Sequence, residues 1–243
     1  MKKEIRIGCS AFNNKHWKGI FYPENLPTAQ WFNYYSQHFD TYEMNGTFYK
    51  FPTLKTMENW YNKVPEDFCC SVKAPKEITH IKKFIGCKEL LADFYDVCKN
   101  GLKEKLGYLL FQFPPSYNYE QDRLQLIIAA LDSGFKNVIE FRHESWWIPE
   151  VWEELAKNNI TFCSVSYLKL PTTIFTDAQI VYIRLHGTPS LFYSAYSSDE
   201  LAVLKEVISN TIKPEKVVVY FNNTARSAGI ENALELKKLV GGL

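Results

Sequence analysis

The sequence predicts an α/β protein of the closed (β/α)8, TIM-like barrel class, and three observations predict it. Eight short runs of β-branched and apolar residues recur at fairly regular distances. Segments of helical period separate most of them. The repeat averages roughly 30 residues, the length of one strand–helix unit of such a barrel. A doubly wound open sheet is the competing arrangement, but the first strand–helix turn, "GCSAFNNKHWKG", lacks the G-x-G-x-x-G dinucleotide fingerprint.

The eight runs, in order, are "IRIG" (5–8), "TYEM" (41–44), "FCCSV" (68–72), "GYLLF" (107–111), "NVIEF" (137–141), "TFCSV" (161–165), "IVYIRL" (180–185) and "VVVYF" (217–221). Helical spacing marks Thr28–Phe39 behind a proline, Leu54–Lys63 more weakly, and Lys88–Asn100, which Gly101 should close. It continues with Glu120–Leu131, Pro149–Asn158, Ser198–Ser209 and Ile230–Val240. Between the sixth and seventh strands, "SYLKLPTTIFTDAQ" has no helical period and holds a proline, so that helix should be missing or vestigial. No low-complexity linker interrupts the series, and residues 1–243 read as one domain.

Composition narrows the function classes. With 46% hydrophobic and 23% charged residues in 243, the chain can bury a core without metals or disulfides. A net charge of +1 provides no global attraction for polyanions, so nucleic-acid binding would need a local patch. The six cysteines (Cys9, Cys69, Cys70, Cys87, Cys98, Cys163) form no C-x-x-C and several lie in apolar runs. They read as reduced thiols packed like small hydrophobes, which predicts a cytoplasmic protein. The opening "MKKEIRIGCSAF" predicts no signal peptide, and no apolar run approaches a membrane span.

The candidate site emerges from "VIEFRHESWW" (138–147), an apolar strand that fills with charge. Burying unpaired charge costs several kcal/mol, on the order of the effective penalty per ion, so such residues need a reason. The same change to polar residues recurs at the C-terminal ends of other strands, where barrels carry their chemistry. Glu43 and Asn45 end the second strand, Lys73 the third, Gln112 the fourth, Glu140 and Arg142 with His143 the fifth. Arg184 and His186 end the seventh, Asn222 and Asn223 the eighth. One isolated E-x-R pair or strand-end histidine is more often structural; the repetition predicts a shared pocket.

The ordered motifs "HWKGIFYP", "EMNGTFY", "VKAPKEITH", "LFQFPPS", "EFRHESW", "YIRLHG" and "YFNN" resemble the YecE-like family, domain of unknown function 72, across nearly the whole chain. The resemblance implies a TIM-barrel-like fold and little chemistry. It also exposes a departure: many members carry Asp at the end of strand six, where this chain has Ser166. If that Asp were an essential acid, this chain would lack it.

Lys73, Arg142 and Arg184 suit a phosphate or carboxylate, since guanidinium groups bind either in a fork. The small polar loops "HGTPS" and "NNTARSAG" occupy the place where many barrels hold phosphate, although the second also reads as an ordinary strand–helix loop. The leading expectation is therefore an enzyme, a hydrolase or lyase, using acid–base chemistry on an anionic small molecule or nucleotide. Glu140, His143 and His186 would move protons. Glu43, Asn45, Lys73, Gln112, Arg142, Arg184, Asn222 and Asn223 would bind substrate, with Trp17, Tyr49 and Trp146 as aromatic rim. His80 adds a further titratable group. No cofactor is expected and no resident metal, because the arginines would repel a cation and no H-x-H or H-E-x-x-H spacing occurs; one divalent ion is the rival. Cys9 and Ser10 have no evident base and read as packing. Two alternatives stand beside the enzyme: a nucleic-acid-binding or endonuclease-like phosphodiesterase barrel using the basic stretch "KAPKEITHIKK", and a metabolite-binding protein without turnover.

Overall fold

The strands are β1 Glu4–Cys9, β2 Thr41–Met44, β3 Cys69–Lys73, β4 Leu106–Gln112, β5 Asn137–Glu140, β6 Thr161–Ser166, β7 Ile180–Leu185 and β8 Lys216–Phe221. The helices are α1 Trp31–His38, α2 Leu54–Lys63, α3 Lys88–Leu102, α4 Gln121–Ala130, α5 Pro149–Lys157, α6 Ser198–Asn210 and α7 Ala228–Val240. In the computed structural model, which describes residues 3–176, 179–210 and 214–241, the strands run parallel in the order β1-β8-β7-β6-β5-β4-β3-β2 with helices between them. This is the α/β, TIM-like barrel fold. Among the described residues no helix joins β6 to β7, as the proline-bearing segment predicts. The chain divides into two compact units, 1–43 with 164–243, and 44–163.

In the first unit, β8 lies between β1 and β7, with Ile5 and Val181 both aligned with Val217. The pairing of first and last strands is the one that the strand count predicts, and the barrel is nearly closed, with β1 and β2 at the two ends of the strand order. Alternation puts Val217 and Val219 on one face and Val218 and Tyr220 on the other, and all four are buried, as a parallel strand covered on both faces requires. Gly8 is needed for close approach, because a Cβ there would stand 2.5 Å from the Thr41 carbonyl oxygen. A reciprocal Ser197–Glu200 capping box starts α6: Glu200 N–H donates to Ser197 Oγ at 3.3 Å, and Ser197 N–H to Glu200 Oε2 at 2.8 Å.

In the second unit, β3, β4 and β5 pair in sequence, followed by the start of β6. Thr53 caps α2 by accepting from Thr56 N–H, and Pro149 opens α5, where its missing N–H costs nothing. Gly101 does not close α3, contrary to the sequence expectation. The helix runs on to Leu102, and a Cβ on Gly101 would meet Met57 Cβ at 2.2 Å, so the glycine serves the contact between α2 and α3. The helix ends at its C-cap, Lys103, whose positive φ of 50° is a backbone conformation that glycine favours.

Candidate functional site

Three adjacent strands of the second unit end in a row of polar side chains. Lys73 closes β3, Gln112 closes β4 and Glu140 closes β5, with Gln112 and Glu140 directly aligned. Lys73 Nζ donates to Gln112 Oε1 at 2.8 Å and stands 4.2 Å from the centre of the Phe48 ring. Both contacts offset the cost of burying an ammonium group. Gln112 is itself oriented by donating Nε2 to the Phe113 carbonyl at 2.6 Å. Glu140, fully buried, accepts from Arg142 Nε at 2.7 Å, which fixes the plane of the guanidinium.

His80 joins this row and was not among the proton movers expected from sequence. It sits in a π-helical turn, Glu77–Ile81, marked by the Lys82 N–H bond to the Glu77 carbonyl at 2.9 Å. Lys83 and Phe84 follow with φ of 49° and 68°, a left-handed pair costly for non-glycine residues. Phe84 is held there by burial against Phe111 and Phe113. The imidazole meets Thr79 Oγ1 at 2.9 Å through Nδ1 and packs edge-on to Phe48 at 4.9 Å. Burial first, then the charges of Lys73 and Arg142, push its pKa down from 6.5 to about 4, against a smaller opposing pull from Glu140.

That depression gives a pH dependence of known sign. Below pH 6.5 the unfolded chain takes up the His80 proton before the folded chain does. The contribution is fully present above pH 6.5 and is lost as pH falls toward 4. Urea unfolding of wild type should therefore lose more stability between pH 7 and pH 4.5 than unfolding of His80→Gln. Equal losses would show that His80 is not depressed.

The other expected residues of this unit divide. His143 accepts at Nδ1 from Ser145 N–H at 3.2 Å and meets Ser145 Oγ at 2.8 Å, so it caps the short helical turn Glu144–Trp146. Trp146 is a correction to the aromatic rim: it is fully buried, stacks on Phe141 at 3.9 Å, and donates Nε1–H to the Tyr117 carbonyl at 2.6 Å. Tyr49 does lie at the surface, 76% exposed, edge-on to Phe48. Asn45 follows β2, and its Oδ1 is buried with no hydrogen-bond partner among the described residues.

In the first unit the structure joins Glu43 to Arg184. Arg184 Nε lies 3.1 and 3.0 Å from the two carboxylate oxygens and Nη2 donates to Oε1 at 2.7 Å, while Tyr182 Oη donates to Oε2 at 2.6 Å. All three side chains are buried. His186 is fully buried as well, edge-on to Tyr167 at 5.5 Å and Phe192 at 5.9 Å. Asn223 turns out to be a clamp: its Nδ2 donates to the Ser194 carbonyl at 2.9 Å and to Asn232 Oδ1 at 3.2 Å, tying a loop to α7. Asn222 is half-buried beside it. Trp17, a second correction to the rim, is fully buried and donates Nε1–H to the Arg226 carbonyl at 2.9 Å, pinning the loop after β8. Ser166 hydrogen-bonds with Tyr196, whose hydroxyl accepts from Gly187 N–H at 2.8 Å. Burial pushes the Cys9 thiol far up, which makes it packing and not a nucleophile. Among the described residues no three His, Cys, Asp or Glu side chains gather as a metal-holding group.

Comparison with known proteins bears on the whole chain. Residues 6–242 match the family described as "Protein of unknown function DUF72". The UPF0759 protein YunF of Bacillus subtilis is 23% identical over 252 residues, covering 90% of this chain and 89% of the relative. A crystal structure of a DUF72 family protein from Thermotoga maritima superposes with a TM-score of 0.88 at 28% identity, covering 98% of this chain and 99% of that one. An Enterococcus faecalis DUF72 family protein, at 21% identity and a TM-score of 0.80, covers 99% of this chain and 98% of its own, and shares the fold.

Proposed function

Since the chain belongs to the DUF72 family, whose description carries no chemistry, we propose from its own side chains an enzyme that performs acid–base chemistry on an anionic substrate bearing phosphate or carboxylate. The observation that carries this reading is the Lys73, Gln112, Glu140, Arg142 row with His80 beside it. Lys73 and Arg142 bring two cations to the same row as Glu140, and an anion entering there would meet both, with His80, neutral at pH 7, beside them. Lys73 supplies a point charge and Arg142 a planar fork suited to oxyanions, with Gln112 and Glu140 as their orienting partners. Glu140 and His80 are the proton-moving groups. An anion bound among these cations raises the pKa of His80, so the imidazole becomes a competent base only when substrate is present.

Six thiols, none bridged, fit work in a reducing cytoplasm. No helix among the described residues is long and apolar enough to cross a membrane. A second reading, binding of a nucleic-acid strand, draws on the exposed Lys76, Lys82 and Tyr49. Salt separates the two: polynucleotide binding weakens steeply with salt, one small anion far less.

The experiment is a thermal-shift screen of phosphorylated and carboxylated metabolites, nucleotides among them. A ligand at about 100 times its dissociation constant should stabilise the fold by about 2.7 kcal/mol, or about 5–11 °C for a chain of this length. Arg142→Ala should lose the shift, and Arg142→Lys, which keeps the charge beside Glu140 but not the fork, should keep part of it. If both variants retain the full shift, Arg142 is scaffold and the reading fails.

A further inference from the structure

Between β6 and β7, where no helix occurs among the described residues, the first unit has an open wall. A cavity of about 620 Å³ opens there, walled by Ser164, Ser166, Ile183 and Leu185 of the two strands, by Leu201, Leu204 and Val207 of α6, and by the extended segment Thr172–Ile174. In a complete strand–helix unit this wall would be covered by a helix. Here Ser164 Oγ accepts from Phe175 N–H at 2.9 Å, which ties the segment to the strand. The volume lies in the range that takes a small organic ligand.

The chemistry of the lining selects the ligand. Its charged residues among those described are Asp199 and Glu200, and no Lys, Arg or His is among the described lining residues. The remaining polar groups are hydroxyls, of Ser164, Ser166, Thr172, Thr173, Thr188 and Tyr196. Glu200 is engaged by the α6 cap, so Asp199, exposed at the rim, is the carboxylate at hand. An anionic head would meet like charge and, among the described lining residues, no cation. We infer that this cavity is a binding site for an aliphatic ligand ending in an ammonium group, the chain against Ile183, Leu185, Leu204 and Val207 and the head toward Asp199.

The inference does not depend on the Lys73–Arg142 reading, and the probes are chemically opposite to that site's. Hexylammonium and hexanoate are titrated into methyl-labelled protein and followed by NMR. Hexylammonium should shift the Leu204, Val207 and Ile183 methyls, and hexanoate should not. Val203 lines the cavity and is 64% exposed, so Val203→Trp should fold normally while blocking entry, and should abolish the shifts. Asp199→Asn should weaken hexylammonium by about two- to fivefold, the effect of one exposed ion pair. Equal binding of the two probes, no methyl shift with either, full binding by Val203→Trp, or an Asp199→Asn variant indistinguishable from wild type overturns the assignment.

Discussion

Glu43→Ala is expected to destabilise the protein by about 3–5 kcal/mol, because it leaves Arg184 charged and buried with its principal partner gone. For a chain of this length that is about 6–20 °C of melting temperature. The loss measures the stranded charge and not the net contribution of the pair. Replacing both members, Glu43→Leu with Arg184→Met, should therefore recover most of it, since apolar groups of similar volume also fill the space. Tyr182→Phe, which removes one hydrogen bond to the carboxylate, should cost about 1.5–3 kcal/mol. A double variant as unstable as Glu43→Ala would mean that the pair does more than satisfy itself. The balanced pair is also the reason that Arg184 has no part in the proposed anion site.

Trp146→Ala should cost about 3–5 kcal/mol, the usual range for truncating a large buried aromatic. The ring stacks on Phe141 and Tyr117, and its N–H is spent on a backbone carbonyl, so nothing of it faces solvent. Anion affinity measured on the folded variant should be unchanged. The opposite pattern, normal stability with lost affinity, would restore Trp146 to the rim where the sequence placed it.

The contrast between these residues shows what was legible in the sequence. The apolar runs mark all eight strands to within one residue at every end, because β-branched runs bounded by polar turns leave few other readings. Lys73, Gln112 and Glu140 were legible because each breaks an apolar run at the same point of the strand–helix unit. Trp17 and Trp146 were misread because an indole has both an apolar body and a polar handle, and only the three-dimensional neighbours decide which is in use. The sequence marks His80 as titratable and gives it no role. "KAPKEITHIKK" looks like a solvated basic loop, and the π-helical turn depends on two left-handed residues locked by the burial of Phe84, a tertiary cause with no local signal. Gly101 was misplaced for a similar reason: a helix-closing glycine and a helix-packing glycine look alike until the neighbouring helix is known.

The most direct test of the proposed anion site is the titration of His80, followed by imidazole NMR in the absence and presence of inorganic phosphate. Without phosphate the midpoint should lie near about 4, well below the ordinary 6.5. With phosphate bound beside Lys73 and Arg142 it should rise, because the anion offsets the charges that add to the effect of burial, and it should stay below 6.5 because burial remains. Phosphate affinity should accordingly strengthen as pH falls through the same window. A midpoint near 6.5 in the free protein, or one that saturating phosphate leaves where it was, would contradict the account.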